Sequence, residues 1–472
     1  MNQELLEKVR KGLAAGAGGD ALKAELVGQG FLEDEVVDAI QEISGVSRSA
    51  DEKKNIRLFT IKEIFDRIGY GFSSVQFINI LFYLTGAGFL LVGVINGLKT
   101  IISLFISSFL HEYSKIRSVS KKFMSKAGIL FGISFLIIAV AIVTKSLLLF
   151  SIALLAGSIG VVSYGDLYSK LSDQLLKREK LSKFLLGISH YGVLITGACL
   201  LAAGFLFEKF PLTQATRILI AGKALPVHGY LIAFEITAIS FILSGYVLYF
   251  LEQKKDDIAS AKGFFIDYLK KIGFQFRQFL QNKYLVLLLL ASAVTGIVQL
   301  LGNSYYGIFI YERFKDVMLG GFMNVAIILF VAILVSFLGP AISKYLNTKV
   351  GLAPALVFGS LLLALMPLVS AFNPQFMNVA AANALSILGA AILGVGQGLL
   401  VRKLLSEEHR KLFFAALSVM VIIPFIILVP AGAWLAQTYG LTLLFKVLAF
   451  ILIVVVAPIY FILVLMANKA RL

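Results

Sequence analysis

The sequence is dominated by a succession of apolar runs, each about as long as a bilayer is thick. A helix needs about 20 apolar residues to cross the hydrocarbon core. Lipid offers the backbone no hydrogen-bond partner, and the runs lack the alternation of barrel strands, so they are predicted to be helices. The twelve predicted spans cover 75–95, 97–113, 127–144, 147–167, 184–207, 227–250, 284–311, 321–342, 352–371, 378–400, 412–436 and 441–466.

The composition agrees with a chain that lies mostly in lipid. Hydrophobic residues make up 59% of the sequence and charged residues 15%, whereas soluble domains average about half apolar and a quarter charged. Cys199 is the single cysteine, so an internal disulfide is excluded. The sequence has no His/Cys cluster at metal-ligand spacing and no phosphate-binding loop. We therefore expect no metal, no cofactor and no ATP-driven step.

The basic residues fall mainly on one side of the predicted spans. If the N-terminus lies inside, the inner segments hold 35 of the 43 Lys and Arg, the outer loops, to which Lys99 at the boundary of the first two spans is assigned, hold 7, and Lys446 falls within the last span. Cytoplasmic loops carry such an excess. The pattern predicts a multi-pass protein of the cell membrane with both termini cytoplasmic. It also explains the net charge of +16 without a nucleic-acid partner.

Five regions follow from this pattern. Residues 1–50 are predicted to form a small soluble helical module, cytoplasmic by the charge rule. Residues 51–74 are predicted to form a polar linker and then an amphipathic helix, 58–72, on the membrane surface. Residues 75–250 and 284–472 form two six-helix bundles. Residues 251–283 are predicted to form a basic cytoplasmic loop with its own amphipathic helix.

The two bundles carry matching stretches. "SFLHEYSKIRSVSKKFMSKAGILFG" after span 2 corresponds to "SFLGPAISKYLNTKVGLAPALVFG" after span 8, at an offset of 228 residues. A second match, after spans 4 and 10, has an offset of 233 residues and aligns Gly165, Leu167, Lys170 and Leu171 with Gly398, Leu400, Lys403 and Leu404. Two matches in the same order predict a pseudo-symmetric, all-α fold.

Two parallel six-helix halves joined by a basic loop resemble the major facilitator superfamily of secondary transporters, here as a divergent prokaryotic member. The resemblance covers about residues 60–466. That family carries G-x-x-x-D-x-x-G-R-R after its second helix and a weaker copy after its eighth. The first loop here keeps only the basic cluster, with Lys115 and Arg117, and the second keeps Gly339 and Lys344. The resemblance implies that these four residues act in gating at the inner loops.

The resemblance also implies a solute site near the bilayer midplane, between the halves and lined by helices 1, 4, 7 and 10. Amides and phenols there can bind a solute through donors and acceptors, or they can simply tie helices together. These four spans carry no charged residue near mid-membrane, which predicts a neutral, amphipathic or zwitterionic solute. The candidate substrate-binding residues are Asn79, Tyr83, Gln299, Asn303, Tyr306, Asn383 and Gln397.

Two ionisable residues inside predicted spans are candidates for proton coupling. His190 lies about one and a half turns into span 5, and Glu235 lies in the outer part of span 6. Charged groups inside a membrane are costly and are therefore functional candidates. The resemblance implies a monomer that moves a small solute by alternating access, with protons as a candidate coupling ion.

Two other functions remain open at the level of the sequence. A lipid or glycolipid flippase would need a charged cavity, and a non-transporting membrane sensor could keep the same fold. An integral-membrane enzyme would need a cluster of Asp, His or Glu at a membrane edge. Because the loops contain no such constellation, we expect that the protein is not an enzyme.

Overall fold

The computed structural model describes the chain apart from a few segments. The described residues are 3–14, 19–29, 31, 35–36, 39, 48–116, 119–176, 178–212, 216–220, 223–252, 283–404 and 421–469. The predicted amphipathic helix of the loop 251–283 lies almost wholly outside them, as does the first part of span 11. The chain divides into two compact units, Met1–Arg57 and Leu58–Leu472.

The described residues of the first unit form helices and have a hydrophobic core of their own. Helices α1 (Gln3–Ala14) and α2 (Gly19–Gly28) contribute most of that core. Helix α3 (Arg48–Phe72) begins in this unit and continues into the second. The buried apolar residues are Leu5, Val9, Leu22, Leu26, Val36 and Ala39.

In its described residues, the second unit contains long helices and one short hairpin. Its first half comprises α3 from Leu58 onward, α4 (Val75–Leu84), α5 (Phe89–Ile116), α6 (Lys121–Val143), α7 (Leu147–Leu175), α8 (Arg178–Lys209) and α9 (Gly229–Tyr249). Strands β1 (Thr216–Ile220) and β2 (Lys223–Val227) pair antiparallel between α8 and α9. The sequence did not predict this hairpin.

The second half repeats the order of the first. Its helices are α10 (Lys283–Phe314), α11 (Gly321–Ser336), α12 (Gly339–Lys349), α13 (Leu352–Phe372), α14 (Phe376–Leu404), α15 (Ile422–Tyr439), α16 (Leu441–Phe450) and α17 (Ala457–Lys469). A π-helical turn, Ile451–Val456, joins α16 to α17 within the last span. Helices α11 and α12 are bent by 45° at their junction.

The packing of the two halves confirms the predicted pseudo-symmetry. The third span, α6, packs on the fourth and sixth, α7 and α9, and the ninth span, α13, packs on the tenth and twelfth, α14 and α16–α17. Between the halves, α5 packs on α15, α8 packs on α11 and α4 packs on α10. If the two halves are exchanged, the pair α5–α15 (spans 2 and 11) becomes the pair α11–α8 (spans 8 and 5). This relation is expected for two copies of one six-helix unit.

Close helix contacts inside each half depend on small residues, as is usual in membranes. A Cβ at Gly128 of α6 would lie 3.1 Å from the Cα of Gly245 in α9. A Cβ at Gly389 of α14 would lie 2.6 Å from the carbonyl oxygen of Gly359 in α13. The apolar spans therefore pack backbone against backbone at these crossings.

The first two spans differ from the predicted ones. The first is α3 and α4 together, broken at Ser73–Ser74, and the second is α5. The predicted boundary between them, around Asn96–Thr100, lies inside α5. Among the described residues, ten helices are long and apolar enough to cross a membrane, or eleven with the bent pair α11–α12. The broken first span brings the number to the expected twelve.

The predicted boundary was wrong because Gly97 is a packing position. A Cβ there would lie 2.8 Å from Cγ1 of Val429 on α15, so the glycine permits the close approach of two helices. The actual turn between the first two spans lies at 85–88, where Gly86 has a φ of 116°, a backbone conformation that favours glycine.

Candidate functional site

A group of four charged residues lies on one helical stretch of α3. The ammonium of Lys62 lies 2.7 Å from Oδ2 of Asp66 and 3.0 Å from Oε1 of Glu63. Nε of Arg67 lies 3.6 Å from Oε2 of Glu63. The side chains of Lys62 and Asp66 are 3% and 5% exposed. Two acids and two bases at spacings of one and four residues give a group whose formal charges cancel.

Two other helices complete this group, which we call the ionic cluster: Lys62, Glu63, Asp66, Arg67, Tyr164, Tyr168 and Ser244. The hydroxyl of Tyr164 on α7 donates to Oδ1 of Asp66 at 2.9 Å, and that of Ser244 on α9 donates to the same oxygen at 2.5 Å. The ammonium of Lys62 lies 3.2 Å from the ring centroid of Tyr168. Buried charges are tolerated when they are paired and hydrogen-bonded in this way.

The ionic cluster corrects the prediction of a surface helix at 58–72. The helix is amphipathic, but its polar face points into the first half, and its exposed side carries Ile61 and Ile64 at 43% and 42% exposure. A surface helix would direct its charges to water. Here the charges are satisfied by α7 and α9, whose contributing residues are far away in the sequence.

A second set of polar contacts joins the two halves. The side-chain amide of Asn79 on α4 donates to the carbonyls of Asn303 and Ser304 on α10, at 3.2 and 3.3 Å. The side-chain oxygen of Gln76 accepts a hydrogen bond from the backbone N–H of Gly307 at 2.8 Å. Side chains of the first span thus bind the backbone of the seventh.

Two further contacts cap helices across the same boundary. Oε2 of Glu208, at the end of α8, accepts from the N–H of Phe322 in the first turn of α11 at 3.0 Å. Oε1 of Gln437 on α15 accepts from the N–H of Leu90 in the first turn of α5 at 3.2 Å. A carboxylate and an amide oxygen both suit the N–H groups that a helix start leaves free. We call the end of the molecule that holds these four contacts the sealed end.

The packing of α5 changes along the helix, from its N-terminal part at the sealed end toward its C-terminus. Val92, Gly93, Ile95, Asn96 and Gly97 are buried. From Leu98 to Ser107 every residue is at least partly exposed, on all faces of the helix. A helix packed on one side shows buried residues at every turn. The packing around α5 therefore loosens from Leu98 to Ser107, directly after the contact of Gly97 with Val429.

The predicted substrate-binding residues fall into two groups. Asn79 and Gln397 tie helices together: Asn79 binds α10, and the amide of Gln397 donates to the hydroxyl of Tyr460. Tyr83 stacks on Phe89, and Tyr306 lies against Phe445.

The other predicted binding residues have free polar groups in the described structure. Asn383 is buried, and its Nδ2 has no hydrogen-bond partner among the described residues. Gln299 is half-buried and Asn303 is exposed. These three amides remain available to a ligand.

Of the predicted coupling and gating residues whose side chains are described, Glu235 lies on a different helix from Gly339 and Lys344. Glu235 is exposed on α9, on a stripe with Ile239, Leu243 and Tyr246. Gly339 begins α12 and is buried, and Lys344 is exposed on the same helix. The side chains of His190 and Lys115, and the whole of Arg117, lie outside the described residues.

Sequence reasoning missed the charged residues of the first two spans. Lys62, Glu63, Asp66 and Arg67 were assigned to a surface helix, and Lys99 was assigned to a loop. The pairs Lys62–Asp66 and Glu63–Arg67, each four residues apart, were an available signal, because such pairs lie on one helix face and neutralise each other. The partners of the cluster on α7 and α9 had no comparable signal.

The comparisons with known proteins identify the fold. No protein-family profile matches the sequence, and no curated protein matches it. The nucleoside transporter NupG matches in structure with a TM-score of 0.64 at 12% identity, over 88% of this chain and 99% of that chain. A bacterial homologue of the iron transporter ferroportin, in an inward-facing state, gives 0.64 at 15% identity, over 88% and 98%.

A third solved structure, a POT family transporter in complex with a peptide conjugate, gives a TM-score of 0.61 at 14% identity, over 88% of this chain and 96% of that chain. All three proteins are transporters by description, and all are covered nearly completely. With twelve spans in two matching halves, this chain is a multi-pass membrane protein with the major facilitator fold.

Proposed function

We propose that the protein is a secondary active transporter that moves a small solute by alternating access. The observation that carries the proposal is the contrast between the sealed end, where four polar contacts join the halves, and the open stretch of α5 beyond Gly97. Two halves that, among the described residues, are joined at one end and packed more loosely along α5 beyond it have the form of one state of a rocking carrier.

The charge distribution supports an orientation for this state. Most Lys and Arg are predicted to lie on the side of the N-terminus, which supports a cytoplasmic location for that side and an outer location for the sealed end. The protein would then be a cell-membrane protein with both termini cytoplasmic, in an inward-open state. The similar ferroportin homologue is likewise described as inward-facing.

The solute site that we propose lies between the halves, below the sealed end. Asn383, Gln299 and Asn303 support it, because their amide groups are free to bind a solute in the described structure. Asn79 and Gln397 are more simply explained as structural ties. Tyr83 and Tyr306 would contribute aromatic surface at its outer edge. Inner-loop gating by Lys115, Arg117, Gly339 and Lys344 remains part of the proposal.

Protons are the candidate coupling ion. His190 is retained as a candidate coupling residue, whereas the exposed stripe around Glu235 makes that residue a weaker one. Replacing each side chain in turn with glutamine distinguishes the two candidates. Replacement of the coupling residue should abolish proton-driven flux and should leave the exchange of solute for solute intact.

The test is flux into vesicles containing the purified full-length protein. A thermal-stability screen against metabolites, at acidic and neutral pH, first selects solutes, since a ligand that binds the folded state raises its stability. Accumulation of a selected solute against its gradient, driven by a pH gradient or by exchange, supports the proposal. Flux that no ion or solute gradient drives would reject secondary transport.

A further inference from the structure

We propose that Lys99 binds an anionic group, a carboxylate or a phosphate, of the solute in the opening between the halves. This inference deepens the proposed function and rests on it. It changes the expected solute class, because the sequence had placed Lys99 in a loop and had predicted a site without charge.

Lys99 lies near the middle of a membrane span. It follows Phe89, the first residue of α5, by ten residues, which corresponds to about 15 Å along a helix. The hydrocarbon core is about 30 Å thick. The ammonium therefore has no short route to either membrane surface. Lys446, by contrast, is exposed close to the start of its span and can extend toward water.

The side chain of Lys99 leaves α5 on the face that points into the molecule. Residues three, four and seven positions earlier, Asn96, Ile95 and Val92, share that face and are all buried. Asn96 donates to the side-chain oxygen of Asn79 on α4 at 3.0 Å. Leu98, on another face, is 42% exposed. Lys99 thus faces the interior of the bundle rather than the lipid.

Lys99 has no partner in the part of the chain that the structure describes. Among the described residues, no carboxylate forms an ion pair with it and no acceptor forms a hydrogen bond with it. Lys62, a buried lysine of the same half, contacts two carboxylates and the ring of Tyr168. The ionic cluster is neutral as a whole, so it leaves no negative charge for Lys99. An unpaired charge at mid-membrane is costly and marks a functional position.

A ligand can reach Lys99 from the open side. The residue stands two positions beyond Gly97, where the contact with Val429 ends, and it remains half-buried. The ammonium of Lys99 offers three N–H donors to an anion that enters from the open side. Hydrogen bonds between ionised partners are about twice as strong as neutral ones, and they strengthen away from water. A carboxylate or a phosphate would offset the charge that the protein leaves unpaired.

The anion could belong to a soluble metabolite or to a lipid headgroup. Both sources share the chemistry of the site, and the second would correspond to the flippase reading. The test therefore uses soluble probes (succinate and inorganic phosphate) and, separately, phosphatidylglycerol in mixed micelles. Succinamide and phosphatidylcholine are the uncharged or zwitterionic counterparts.

The experiment compares the wild-type protein with Lys99→Gln, Lys99→Arg and Lys446→Gln. Thermal unfolding of each purified full-length protein is measured with and without each probe. We expect at least one anionic probe to raise the Tm of the wild type, Lys99→Arg and Lys446→Gln by several degrees and to leave that of Lys99→Gln unchanged. Succinamide and phosphatidylcholine should give no Lys99-dependent shift.

The outcomes separate this inference from the proposed function. If no anionic probe gives a shift that depends on Lys99, the anion site is rejected even if solute flux is found. If the anionic probe raises the Tm of the wild type but not that of Lys99→Gln, and no gradient drives flux through the wild type, the anion site is supported and secondary transport is rejected. If phosphatidylglycerol is the only probe that gives a Lys99-dependent shift in Tm, the site is assigned to a lipid headgroup. Size-exclusion profiles and the Tm without a probe confirm that Lys99→Gln is folded.

Discussion

At the scale of single residues, the ionic cluster makes the sharpest prediction. Asp66 accepts from Tyr164 and Ser244 and pairs with Lys62, so its loss leaves a buried ammonium unpaired. We expect Asp66→Ala to destabilise the protein by about 3–5 kcal/mol and Asp66→Asn to cost less, because an amide keeps part of the hydrogen bonding.

Thermal unfolding in detergent measures this effect. Glu312→Gln is the matched control, because it removes a carboxylate from the exposed pair with Lys315 and should leave the Tm unchanged. Equal Tm values for Asp66→Ala and the wild type would show that the cluster does not hold α3 in place.

At the scale of helices, Gly93 and Gly97 set how closely α5 and α15 approach. A Cβ at Gly93 would lie 2.5 Å from Cβ of Ala433 and 2.2 Å from the hydroxyl oxygen of Tyr305. We expect Gly93→Ala to force the helices apart at the sealed end. A cysteine at the buried Val92, in a Cys199→Ser background, should then react faster with an impermeant maleimide.

Gly394→Ala in α14 is the control for this pair. No atom lies within 4 Å of a Cβ placed there, so the change should add about 0.5–1 kcal/mol of helix stability without altering the labelling. Unchanged labelling in Gly93→Ala would mean that α5 and α15 accommodate the extra methyl group without separating.

The same scale shows where sequence reasoning succeeds. The length and apolarity of a span are local properties, so most helices of the second half appear close to their predicted positions. The role of a glycine is not local. Gly97 looked like a helix break, and only the position of Val429, more than 300 residues away, shows that it is a contact. That error displaced Lys99 from the membrane into a loop.

At the scale of the whole molecule, we expect the caps by Glu208 and Gln437 to contribute to the balance between the states of the proposed carrier. Replacing a capping side chain with alanine costs about 1 kcal/mol. The two caps join different helix pairs, so their effects should add. We expect the double variant Glu208→Ala/Gln437→Ala to shift the equilibrium toward a state open at this end by about 30-fold, the factor for about 2 kcal/mol.

Labelling of the Val92→Cys reporter measures this shift as well. The matched variant is Glu208→Gln/Gln437→Ala, in which a side-chain oxygen remains to accept from Phe322. Its labelling rate should fall between those of the wild type and the double alanine variant. If all three rates agree, the caps stabilise the helix ends and have no part in the balance between states.

The N-terminal unit permits one more test. Because Met1–Arg57 has its own core, deletion of residues 1–47, which leaves α3 whole, should preserve folding and flux in the second unit. Loss of flux in a folded protein would make the module part of the transport machinery rather than a regulatory or partner-binding attachment.

The inverted amphipathicity of α3 also bears on biogenesis. The four charges of this half-span cannot enter lipid alone at acceptable cost, and the partners of Asp66 lie at Tyr164 and Ser244. On the ribosome these partners are synthesised about 100 and 180 residues later. We therefore expect α3 to remain at the membrane surface while α4 to α9 insert. It should enter the membrane only when α9 has left the translocon. The last helix of the first half would thus complete the insertion of the first.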